Sequence, residues 1–128
     1  MKLSDKNIIL EALRNPNAIQ WIGEAFGPGG SACGLGHIMK GYFGQDFDST
    51  RGVPIDWNQY YRGHGLSDQV ELEGSILPLH SAIIRMNDDF MYTLAEIADW
   101  IETNVIPEDL PEQVPADWNE DASRYVSV

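Results

Sequence analysis

Basic residues are scarce in this sequence: eight Lys and Arg stand against twenty Asp and Glu, for a net charge of −12. That balance repels phosphate backbones and anionic headgroups, so direct binding of DNA or RNA is not expected. Cysteine is nearly absent. Cys33 stands alone, which excludes an internal disulfide and suits a reducing, cytoplasmic setting. No apolar run approaches the roughly eighteen residues of a membrane span, and Met1-Lys2-Leu3-Ser4-Asp5-Lys6 lacks the apolar stretch of a secretory leader. A cytoplasmic protein that neither enters nor touches a membrane is the expectation.

Several site signatures are missing as well. The alternating D-x-D-x-D-G of a calcium loop, the G-x-G-x-x-G of a dinucleotide fold and the Lys-Ser/Thr of a phosphate loop do not occur. Adjacent acids such as Asp88-Asp89 and Glu108-Asp109 are plentiful, but glycosidase chemistry needs two carboxylates spaced across a cleft. No cofactor and no metal are expected.

What is present suffices for a folded core. The chain has 128 residues, 43% hydrophobic and 10% aromatic, which fits one domain outside the disordered class. A domain of this size buries roughly two-thirds of its unfolded surface and needs no disulfide or metal to fold.

The pattern predicts a mainly α fold: a compact bundle of four to five helices with a long irregular loop and an acidic C-terminal extension. Helices are expected over about 5–14, closed by Asn15-Pro16, and over 17–25, where Ile19, Trp21, Ile22 and Phe26 supply apolar positions. Gly27-Pro28-Gly29-Gly30 is a break. Ser31 is the expected cap of a third helix reaching Phe43, although Gly34, Gly36 and Gly41 make that helix poor by propensity. Either a neighbour packs very closely there or part of it is not helical. Residues 44–66 are irregular, with a single turn expected after Asp56, and 68–73 fits strand or helix. A buried helix is expected over 77–86 with Pro78 in its first turn, broken by Asn87-Asp88-Asp89. Thr93-Leu94-Ala95-Glu96 is a capping box, and Leu94, Ile97, Ala98 and Ile101 form the apolar stripe of a helix to Thr103. Residues 1–104 therefore read as a helical domain, and 105–128 as an acidic extension packed at least partly on it.

Charge is unevenly placed. Met1 to Arg85 holds nine acids and seven bases, whereas Met86 to Val128 holds eleven acids and Arg124 alone. Asp99, Glu102, Glu108, Asp109, Glu112, Asp117, Glu120 and Asp121 put eight acids into 23 residues, with Trp118 among them. Solubility alone explains such a run, but an aromatic inside a charged rim is also how interfaces are built. These nine residues are the candidate contact set for a basic surface on another protein, including one that normally holds nucleic acid. A homodimer is compatible with the same features.

The catalytic alternative is a small cysteine hydrolase. Cys33 follows a glycine-rich turn at a helix start, where the helix dipole favours a thiolate; His80 or His64 is the candidate base and Asn87 or Asp88 the orienter, and Cys33, His80 and Asn87 give the order Cys, His, Asn. Against it, free cysteine is commonly a small core residue and His80 lies in an apolar run. Cys33 and His37, four apart, with His64 and His80, make a weaker zinc set. The glycines at 27–36 invite a phosphate reading that lacks its lysine.

Trp21, Cys33-Gly34-Leu35-Gly36 and Asn87-Asp88 ahead of an amphipathic helix carry a resemblance. Over about residues 8–102 the chain resembles a small uncharacterised domain family of bacteria and their phages, which reads tryptophan, Cys-Ala-x-Gly-Ala, then Trp-Asn-Asp. It departs from that pattern at Gly34, His37 and Met86, where Ala, Ala and Trp are expected. The resemblance implies a compact helical domain without a known activity. It also implies a phage or mobile-element origin, a setting in which small acidic proteins often resemble host inhibitors or nucleic-acid mimics.

Overall fold

The structure, a computed structural model, describes residues 1–48 and 55–109. Among these the fold is mainly α, with five helices and one two-stranded antiparallel sheet. The helices are α1 (Leu3–Leu13), α2 (Gly34–Phe43), α3 (Trp57–Gly63), α4 (Leu79–Asp88) and α5 (Leu94–Asn104); β1 (Gln69–Leu72) and β2 (Ser75–Pro78) lie between α3 and α4. Helix α1 packs on α2 and α5, and α4 on α2, α5 and the strand pair. Ile9, Leu13, Ile38, Leu79, Ile83, Met86, Ile97 and Ile101 meet in the core. No described helix is long and apolar enough to cross a membrane.

The capping box forms as read. The Glu96 N–H donates to Thr93 Oγ1 at 3.1 Å and the Thr93 N–H donates to Glu96 Oε1 at 2.8 Å. Asp56 starts α3 by accepting the Gln59 N–H at 3.2 Å. The ambiguous 68–73 segment is strand, because Glu73 and Gly74 both take positive φ and join it to β2 by a two-residue turn, Leu72 facing Ser75.

Three expectations are corrected. Residues 17–25 are not helical, since their backbone is hydrogen-bonded far along the chain: Trp21 N–H to Ala32 O at 2.8 Å, Ala32 N–H to Ile19 O and Cys33 N–H to Ala25 O both at 3.0 Å. That pairing holds 31–33 extended, so α2 starts at Gly34 and its cap is Cys33, whose sulfur accepts the Gly36 N–H. Ser31 instead donates its hydroxyl to Pro28 O. Helix α4 begins after Pro78, which ends β2, and runs through Asn87 to Asp88. Asn87 does not break it because its side chain bonds into the core rather than competing for local backbone.

The glycines of α2 mark close packing. A Cβ at Gly36 would sit 2.1 Å from the carbonyl oxygen of Ala25, and one at Gly34 would meet Ile83 and Ile97. Residues 105–109 lie against the first residues of the chain: Val105 is buried, the Glu108 N–H donates to Met1 O and the Leu3 N–H to Asp109 Oδ1. Gly36→Ala is expected to lose about 3 kcal/mol by chemical denaturation, because the methyl group meets backbone that cannot step aside.

Candidate functional site

Cys33, His80 and Asn87 are not assembled as a catalytic triad. Cys33 is 5% exposed, and burial pushes its thiol pKa up, away from a thiolate. His80 stacks on Tyr61 at 4.1 Å and 12°, with Nδ1 3.5 Å from Ser81 Oγ rather than bonded to the sulfur. Its burial lowers its pKa, so the ring is neutral near pH 7.

Asn87 is committed elsewhere. It is fully buried, and its Oδ1 accepts Gln20 Nε2 at 2.8 Å and the Gly34 N–H at 3.0 Å. Its Nδ2 donates to Trp21 O at 3.0 Å and to Asp88 Oδ1 at 2.8 Å. Gln20 Nε2 also reaches Tyr92 O, and Asp88 Oδ1 accepts the Gly23 N–H. The segments carrying the family resemblance thus meet at one polar centre: Trp21 through its carbonyl, the start of α2 beside Cys33, and Asn87-Asp88.

The zinc set is not assembled either. His37 Nε2 lies 2.8 Å from Ile19 O, and His64 Nδ1 lies 3.0 Å from Asp5 Oδ1, which also accepts the Tyr42 hydroxyl. Among the described residues no group of three or more His, Cys, Asp or Glu could hold a metal ion.

The acidic array divides. Asp99 and Glu102 lie exposed on α5, but both reach Arg14, at 2.9 and 2.6 Å. Glu108 lies 3.9 Å from the Met1 amino group, and Asp109 takes the Leu3 N–H. Glu112, Asp117, Trp118, Glu120 and Asp121 lie outside the described residues. Arg14, 85 residues away from Asp99 in sequence, is the partner that charge counting over 86–128 misses.

Sequence reasoning also did not mark which apolar side chains stay exposed. The bonds around Asn87 lay residues 20–23 alongside 87–92. Ile22 (45% exposed) and Met91 (61%) lie on those two stretches and Ile84 (40%) one turn earlier on α4, with Glu24, Asp88, Asp89 and Arg85 nearby in sequence. Met91 has φ +58, where the chain turns from α4 toward α5 and the Tyr92 N–H closes back onto Met86 O at 2.8 Å. Gly or Asn is the usual sequence signal for such a turn. A methionine gives none.

No protein-family model matches the chain, and no curated protein or solved structure is significantly similar to it.

Two outcomes check this assignment of roles. Asn87→Ala strands the Gly34 N–H and Trp21 O and leaves Gln20 Nε2 with Tyr92 O alone, so a loss of about 3–5 kcal/mol is expected in denaturant melts. Cys33 is expected to resist a thiol-labelling reagent at neutral pH and to react fully once the chain is unfolded; rapid labelling of the native protein refutes the core role.

Proposed function

We propose that the protein is a non-enzymatic binding module that occupies a basic surface on a partner protein. The scaffold is a compact cytoplasmic helical bundle carrying an acidic extension over 105–128. The family resemblance extends the reading to a phage-encoded inhibitor or nucleic-acid mimic acting on a host protein.

One observation carries the reading. Met91 is an exposed apolar side chain held in the left-handed region, a backbone state that costs a non-glycine residue about 1–2 kcal/mol. Its side chain returns little of that energy within the molecule, so its return is sought in a complex. Ile22 and Ile84 widen the anchor. The acids concentrated after Met86 supply long-range attraction, which raises association rates and chooses basic partners.

The cysteine-hydrolase alternative finds no support in a buried, protonated thiol with no base bonded to it.

Affinity capture from a bacterial host lysate, run at about 50 and about 500 mM salt, tests the proposal. A partner retained at low salt and released at high salt is expected. Met91→Gly is expected to raise stability by about 1 kcal/mol while weakening capture of that partner. Retention indifferent to both salt and Met91 overturns the reading.

A further inference from the structure

The glycine turn at 27–30 lacks a lysine in sequence but acquires one in space. Lys40, two turns into α2, is only 6% exposed, and its Nζ donates to Gly30 O at 2.8 Å. An ammonium has three protons to place, and a buried cation is costly unless paired. Lys6 shows the ordinary solution. Equally buried, it donates to Glu102 O and Val105 O at the carboxyl end of α5, where the helix dipole favours a cation. Lys40 has one carbonyl, and among the described residues no carboxylate lies within 4.0 Å of it.

Lys40 instead lines a cavity of about 510 Å³ between the glycine turn and residues 45–48. This volume falls in the range of small-molecule sites. Phe26 and Phe47, edge to face at 5.8 Å, supply an apolar wall. Asp46, exposed, lines the same cavity. Its charge disfavours a multiply charged anion such as phosphate and favours a ligand bearing both signs.

We propose that this cavity binds a free α-amino acid with an apolar side chain, its carboxylate on Lys40, its ammonium on Asp46 and its side chain against Phe26 and Phe47. The site is separate from the proposed docking face and does not depend on it. Placing the carboxylate on Lys40 gives the buried ammonium the counter-ion that the described residues do not provide.

Calorimetric titration of the full chain with the individual amino acids, their N-acetyl and amide forms, and inorganic phosphate tests the assignment. Saturable binding of at least one apolar amino acid is expected, weakened at least about tenfold by acetylation or amidation, each of which deletes one charge. Lys40→Met is expected to weaken that binding at least about tenfold and to raise the Tm of the ligand-free protein, because a buried charge without a counter-ion is removed. Asp46→Asn, at an exposed position that leaves the fold undisturbed, is expected to weaken amino-acid binding while sparing weak binding of the N-acetyl form. Silence toward every amino acid, binding of phosphate alone, or affinity unchanged in Asp46→Asn overturns the proposal. A Tm that falls in Lys40→Met also overturns it, since Lys40 would then be holding the glycine turn.

Discussion

The side-chain amide of Asn87 is the interaction on which the rest of the structure depends. An amide offers two donor protons and a carbonyl with two lone pairs. At Asn87 all four are used, on Gln20, Gly34, Trp21 and Asp88. The residues between α1 and α2 have little regular structure of their own, so they are fixed chiefly by what they bond to. Asn87 bonds them to α4 and to the first turn of α2 together, while Gln20 continues the link to Tyr92 beside the start of α5. Each bond is worth only about 1 kcal/mol net. Their weight comes from burial, because in a fully buried place none of the four groups can turn to water.

The elements that could be read from sequence are those whose causes are local. The capping box at Thr93 and Glu96, the apolar stripe behind it and the Asp56 cap each act within four residues, and each forms. The segment 17–25 failed because Ile19, Trp21 and Ile22 are spaced as a helix would space them, while the backbone of Ile19 and Trp21 pairs with Ala32 and that of Ala25 with Cys33. Propensity cannot register a partner that lies a dozen residues away. The glycines of α2 posed a choice between poor helix and close neighbour, and the Ala25 carbonyl against Gly36 decides it for the neighbour. The acid run over 86–128 was visible as composition, yet Arg14 answers two of its members from the other end of the chain.

Two residues break local rules with little compensation among the described residues, and each stands out by comparison with a residue that breaks the same rule harmlessly. Glu73 has a positive φ, but it sits beside Gly74 in a hairpin turn whose geometry requires it. Met91 closes α4 through the Tyr92 N–H on Met86 O, a turn that Gly or Asn makes at lower cost, yet the position carries an exposed methionine. Lys6 is buried, but two carbonyls at a helix end receive it. Lys40 has one. Departures from the consistency that a foldable sequence otherwise keeps tend to fall where function demands them.

The two departures lie at opposite ends of one rigid connection. Helix α2 has its first turn bound by Asn87, close to the Met91 corner, and Lys40 six residues on, about 9 Å along its axis. A helix in that position could in principle carry a signal between them. For it to do so α2 would have to slide or rotate, and Gly36 is already jammed against the Ala25 carbonyl while Gly34 faces Ile83 and Ile97. Packed cores shift between discrete arrangements rather than deforming smoothly. The close approach at Gly34 and Gly36 argues for α2 as a fixed strut, on which the proposed cavity site and the proposed docking face act independently.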